Sequence, residues 1–408
     1  MNPVDPVQAE PVHDLSGERR LYLRLCGTAL AAYASYSLVR TPVLPLFARE
    51  QGLSTSMVGL IVAASTITGV FLKFPAGALS DVIGRRRMLV AGALVFAVSP
   101  FFYLLPHSAL TLLVLRFVHG SATAVFGPVM AAVISDLAPK ARRGSWLGTY
   151  SAAQSGGNAA GQLLGGTLLS IGGFAYPFLA GGACGIAAFI LLPRVGTSAP
   201  LEISAPAVNR LREAMHAVLS DRVILLVSIA TAGQYIGNGA LNGFLPLYAR
   251  EAAGLEAWQI GALFGAQTGC VLAFRPMLGT LSDRWGRAPL MMAGMLSSSV
   301  LLVVLPMLRS FTSLLVLTSL YGAAFAATSA TSMAWITDLA ARRHFGTAHG
   351  AYGTIFDIGD ATGPIAAGLL ISSFGYTVGF RILAVPLAVL IVLLAANASL
   401  TRHRSPQA

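Results

Sequence analysis

Two aspartates, Asp357 and Asp360, stand three residues apart late in a 408-residue chain, inside a run otherwise made mostly of Gly, Ala, Ile, Leu and Thr. In a helix they fall on one side. Burial disfavours the charged form of a carboxylate and a nearby guanidinium favours it, so such an acid can take up and release a proton as its surroundings change. Asp360 is the first candidate for that chemistry and Asp357 the second. The cations in comparable apolar runs are Arg40 and Arg116, with the titratable His119 one helical turn beyond Arg116. An unpaired charge at the centre of a bilayer costs about 2.5–3.5 kcal/mol, so ionisable residues retained there are functional candidates. The bland alternative is a fixed ion pair that ties helices together.

Uncharged polar residues recur at helical spacing beside them. Tyr33, Ser37 and Thr41 are four apart, as are Gln234, Asn238 and Asn242. Tyr150, Gln154 and Asn158 make a third stripe, and Tyr352, Phe356 and Asp360 a fourth. Such stripes on four helices predict an internal cavity, to whose lining Tyr321 is added. Interhelical hydrogen bonds in a solid bundle are the alternative.

The elements that hold these residues are membrane helices. Hydrophobic residues make up 55% of the chain, charged residues 11%, and the mean hydropathy is +0.71. Apolar runs of about 20 residues, each long enough to cross the hydrocarbon of a bilayer, are placed near 22–47, 57–80, 88–106, 109–135, 146–171, 175–193, 223–248, 258–281, 289–307, 312–337, 347–372 and 377–400. The predicted fold is an all-α polytopic membrane protein of twelve spans. It is divided into a tail (1–20), a six-helix half (21–193), a connector (194–222), a second half (223–400) and a tail (401–408). In the connector, Leu211, Ala214, Met215 and Val218 recur at helical spacing and predict an amphipathic helix on the membrane surface.

The net charge of +11 is a topology signal. About 18 of the Lys and Arg fall in loops on one side, against Arg49, Arg250 and Arg309 on the other, which places the richer side and both termini in the cytosol. No basic face is gathered for nucleic acid. Cys26, Cys184 and Cys270 each lie inside an apolar run and offer neither a disulfide framework nor metal-ligand spacing. No metalloprotease, phosphate-loop, redox-pair or nucleophile-elbow motif occurs. No enzyme activity, cofactor, metal or nucleic-acid partner is expected. The expected partners are a small molecule, protons and the bilayer, with the chain acting as a monomer.

The sequence also repeats itself. Gly77, Leu79, Ser80, Asp81, Gly84 and Arg85 return as Gly279, Leu281, Ser282, Asp283, Gly286 and Arg287, each 202 residues on. Gly120, Asp136 and Tyr150 match Gly322, Asp338 and Tyr352 at the same offset, and Lys73 matches Arg275. Leu44–Glu50 returns as Leu245–Glu251 at 201. Two halves of like orientation follow, of the kind that rock about a midplane site.

The loop pattern G-x-x-x-D-x-x-G-R, present in both copies, resembles the signature of the major facilitator superfamily. That resemblance implies the twelve-helix fold in two pseudo-symmetric halves, and a role for Asp81 as a latch that holds the cytoplasmic side closed against helix eleven. Gly157, Gly161 and Gly165 of span five, with the paralogous Gly359, Gly363 and Pro364 of span eleven, resemble a motif of its drug:proton antiporters, although Gln162 replaces the motif's proline. Glycines four apart also suit tight helix packing. Arg116–Gly120 resembles the superfamily's R-x-x-Q-G motif, with His119 for Gln, and implies a part for Arg116 in proton coupling.

The expected function is a proton-coupled secondary transporter of the bacterial inner membrane that exports a small organic molecule or drug. A metabolite importer of the same fold and a non-transporting scaffold or receptor are the rivals. Because spans one and four line the cavity in the resembled family, Arg40, Arg116 and His119 would leave its first half positive unless the span-eleven acids reach over. A guanidinium fits a carboxylate or phosphate in bidentate fashion, so an anionic or zwitterionic substrate is expected. In the alternatives, Arg40 pairs with Asp360 or Asp357 or reaches the outer surface.

Overall fold

A computed structural model describes residues 15–105, 108–139, 142–194, 220–339 and 345–397, without the side chains of residues 15–18, 74, 75, 77, 78, 81, 82 and 345–348. Nearly all of it is helix. The helices are α1 (Leu15–Arg40), α2 (Val43–Glu50), α3 (Thr55–Ile83), α4 (Arg85–Phe102), α5 (Ala109–Leu137), α6 (Arg143–Gly172), α7 (Ala175–Leu191), α8 (Arg222–Glu251), α9 (Ala257–Trp285), α10 (Arg287–Val304) and α11 (Phe311–Leu339). The stretch Phe345–Ala396 turns at non-helical Gly375 and so comprises α12 (345–374) and α13 (376–396).

These helices make the twelve spans, with two departures from the sequence reading. The first span is not one helix but two, α1 and α2, parted at Thr41–Pro42. A proline has no N–H for the helix ladder, and the second copy, which carries Gly243 at the matching place, runs unbroken as α8. The helix α1 starts at Leu15, within the stretch 1–20. The connector's predicted amphipathic helix and the C-terminal tail lie outside the described residues.

The backbone repeats as the sequence does. Its positive-φ glycines fall into three pairs 202 residues apart: Gly52 with Gly254, Gly84 with Gly286, and Gly173 with Gly375. At Gly84 (φ 99°) and Gly286 (φ 92°) the chain reverses between spans in a conformation that a Cβ disfavours. The repeated loops are bracketed by charge within each half. Arg85 pairs with Asp136, and Arg287 with Asp338 at 2.8 Å, while Asp283 lies 2.5 Å from Arg287. The side chain of Asp81, the expected latch, is not among those described, and Gly77 is placed in the same helix, α3.

Glycines decide how the helices approach. A Cβ at Gly157, Gly161 or Gly165 of α6 would run into the backbone of α1, and one at Gly359 or Gly363 of α12 into that of α8. Other glycines join the two halves: a Cβ at Gly59 would meet the carbonyl of Pro364, and one at Gly166 the backbone at Ala257 and Gly261. Both seams lie at the end opposite the repeated loops. There the halves are also clasped by Arg49, which donates to Glu251 at 2.8 Å, while Tyr376, of the same half as Glu251, donates to its other oxygen at 2.7 Å and holds that carboxylate in place. A recess of about 660 Å³ at this end is lined in part by Arg49, Glu50, Arg250, Glu251 and Glu256.

Among the described residues, the loop end is the more open of the two. A Cβ at Gly144, Gly148, Gly269, Gly279 or Gly350 would meet nothing within 4 Å. Residues 272–277 of α9 are all exposed, which is more than one turn.

Candidate functional site

The two aspartates of α12 reach across to the other half. Asp360 Oδ2 accepts from Arg40 Nη2 at 3.5 Å and from Thr66 Oγ1 at 3.3 Å, while Asp360 Oδ1 accepts from Asn238 Nδ2 at 3.3 Å. Gln267 Nε2 then donates to Asn238 Oδ1 at 3.4 Å. One turn nearer the open end, Lys73 Nζ lies 2.6 Å from Asp357 Oδ2. Spans one, two, seven, eight and eleven thus meet on a single polar chain centred on Asp360.

Of the readings open for Arg40, the structure has the pairing with Asp360, so its half of the cavity is not left uncompensated there. The reason is the seam. The closed-end contacts of α3 with Pro364 and Gly368 bring α12 within side-chain reach of the other half, so Arg40 finds Asp360 and Lys73 finds Asp357. Lys73 and Thr66 were not singled out from the sequence as functional. The available signal for Lys73 was a basic residue inside an apolar run at the place where the second copy has Arg275.

Arg116 does something different. It is fully buried inside the first half, donating to Ser65 Oγ at 2.5 Å and to the hydroxyls of Tyr36 and Tyr103 at 3.5 Å each, with its guanidinium over the Tyr36 ring. Among the described residues no carboxylate pairs with it. His119, also fully buried, bonds Tyr103 through Nδ1 at 3.3 Å and packs edge-on against Tyr36.

The polar stripes divide between two environments. Tyr33, Arg40, Gln154, Asn158, Asn238 and Asn242 remain partly open. Ser37, Thr41, His119, Gln234 and Tyr321 are buried, contrary to the expectation that they line the cavity. Ser37 donates to Asn158 Oδ1 at 2.5 Å, joining spans one and five, and Gln234 donates to Ser298 Oγ at 2.9 Å, joining spans seven and nine. In these cases the bland reading holds, because a residue four places along a helix is rotated by about 40° and a long stripe drifts off the open face. Gln154 donates to Tyr150 at 3.0 Å, and Tyr150 to the carbonyl of Gly127 at 3.2 Å. The motif position held by Gln162 is also structural, since its Oε1 accepts from Thr268 at 2.6 Å across the halves.

Comparison with known families gives this architecture its place. A family model described as Major Facilitator Superfamily matches residues 25–268 and 227–408. The chain belongs to the major facilitator superfamily. It is a membrane transporter, not an enzyme, and its relatives include drug-resistance proteins. It is 26% identical over 402 residues to the multidrug resistance protein MdtG of Escherichia fergusonii, covering 96% of this chain and 97% of that one. It is 24% identical over 335 residues to the quinolone resistance protein NorA of Staphylococcus aureus, covering 81% and 84%. Among solved structures, the nucleoside transporter NupG superposes with a TM-score of 0.78 at 13% identity, over 92% of this chain and 99% of that one. A bacterial homologue of the human lysosomal transporter Spinster, inward-facing and unoccupied, gives 0.77 at 16% identity, over 96% and 99%. These two likenesses show the fold of twelve helices in two halves.

Proposed function

We propose that the protein is a proton-coupled exporter of small organic molecules that works by alternating access in a bacterial inner membrane, and that Asp360 carries the proton. The observation behind this is that both halves supply the partners of Asp360: Arg40 and Thr66 from one, Asn238 from the other. Opening the closed end would pull Arg40 and Thr66 away, and an unpaired charge at this depth costs about 2.5–3.5 kcal/mol. Protonation relieves that cost, so the state open at the far end favours the neutral acid. In the state seen here Arg40, Thr66 and Asn238 all donate to Asp360. The basic loops assign the open end to the cytosol, so each cycle takes a proton from outside and releases it inside. The paired Lys73 makes Asp357 the second candidate, and the buried Arg116 would keep the interior of the first half electropositive. Export, as opposed to import, is supported by the resistance proteins among the relatives.

The test is transport of a fluorescent dye substrate in proteoliposomes. Asp360→Asn is expected to abolish flux driven by an imposed pH gradient while sparing downhill exchange. Survival of both fluxes would remove Asp360 from the mechanism.

A further inference from the structure

The closed end carries a clasp that the repeat should make twice and makes once. Arg49–Glu50 of the first half returns as Arg250–Glu251 of the second, so the bond from Arg49 to Glu251 at 2.8 Å has a symmetry mate, Arg250 with Glu50. The two arginines behave alike. Each turns Nη1 to a carbonyl of its own loop, Arg49 to Leu53 at 3.5 Å and Arg250 to Leu255 at 3.2 Å. The two glutamates do not. Glu251 is held for its partner by the hydroxyl of Tyr376 at 2.7 Å, and the residue matching Tyr376 at the offset of 202 is Phe174, which has no hydroxyl to give. Among the described residues, Glu50 has no hydrogen bond or ion pair from its side chain, and Arg250 has no carboxylate partner.

The unmade pair faces open space. Glu50 and Arg250 are both exposed, and both line the recess of about 660 Å³ at this end, a volume that suits a small molecule. Trp258 fixes the rim: its backbone N–H donates across the halves to Ser170 Oγ at 2.8 Å, and its Nε1 donates to Glu256 Oε2 at 2.8 Å. Leu46, Leu169, Phe174 and Leu247 give the recess an apolar lining. With Arg49 and Glu251 matched to each other, the charges left over are one guanidinium and the carboxylates of Glu50 and Glu256. A guanidinium offers a planar fork of donors to a carboxylate, and a carboxylate accepts from an ammonium.

We propose that this recess binds a small zwitterion that completes the missing half of the clasp, with its carboxylate on Arg250, its ammonium on Glu50 and its apolar linker against Leu46, Phe174 and Leu247. The site is separate from the Asp360 network. Its place on the outer face rests on the orientation assigned from the basic loops. Glu50 belongs to the first half and Arg250 to the second, so one ligand can bridge them only while this end is closed. A ligand that binds one of two states shifts the population toward that state. The zwitterion therefore acts as a brake on export, applied from outside.

Calorimetric titration of the full-length protein in lipid nanodiscs tests the site, with 6-aminohexanoate, hexanoate and hexylammonium as probes. The zwitterion is expected to bind about fivefold more tightly than either analogue, each of which lacks one of two exposed ion pairs. Glu50→Gln should lower it to the level of hexanoate, and Arg250→Gln to that of hexylammonium. In proteoliposomes, saturating zwitterion on the outer side should slow dye export by the parent about threefold or more and leave export by Glu50→Gln unslowed. An analogue that binds as tightly as the zwitterion, or zwitterion binding indifferent to both substitutions in proteins that melt like the parent, would overturn the site. Tight binding that leaves export by the parent unslowed would overturn the bridge between the halves. Calorimetry needs no transport, so the site can fail while the exporter reading, tested at Asp360, stands, and the reverse.

Discussion

Removing the clasp at the closed end should move the molecule toward its other state by a predictable amount. Arg49 and Glu251 are both well exposed, at 44% and 33% of the side chain, so solvent screening limits their ion pair to about 0.2–1 kcal/mol. The bond from Tyr376 to the same carboxylate lies within the second half and positions Glu251 without joining the halves. Glu251→Ala therefore loses the pair, about 0.2–1 kcal/mol, which is a factor of up to about 5 in a two-state ratio. Arg49→Gln loses the same pair and should shift the ratio by as much. Nitroxide labels at Ser108 and Ser310 would report the closed end by pulsed electron spin resonance. Labels at Ser145 and Thr280 would report the open end. All four positions are exposed, and the three native cysteines would be replaced first. In Glu251→Ala and Arg49→Gln alike the first pair should gain a longer distance and the second a shorter one. Unchanged distributions at both ends in a folded variant would show that the clasp does not govern the equilibrium, and that the glycine seams alone close this end.

Two further outcomes follow from packing and charge. Gly166→Leu, whose side chain would collide with the backbone at Ala257 and Gly261, should lengthen the Ser108–Ser310 distance and cut transport at least tenfold; a parental distance would refute the seam. A cysteine replacing Ser54 should react with an impermeant thiol reagent applied from outside the cell, and one replacing Ser204 of the connector should not. The reverse labelling would invert the orientation assigned from the Lys and Arg count.

Much of the fold is legible in the linear chain because it depends on local properties. Apolar runs of span length need no partner to be recognised, and the offset of 202 residues between Gly84 and Gly286 reappears in the backbone as paired positive-φ turns. The two aspartates of span eleven could likewise be picked out, since ionisable residues in an apolar helix are rare for a stated energetic reason. Pairing across the halves could not be. Whether Arg40 stands alone or meets Asp360 depends on how closely α12 approaches the other half, and that is set by Gly59, Pro364 and Gly368 on two different helices. The same applies to Gln234 and His119, polar residues in the expected register that face neighbouring helices within their own half. Helical spacing tells which residues share a face. Only the packing of the spans tells what that face meets, because the contacts that decide it lie up to 320 residues apart in the chain.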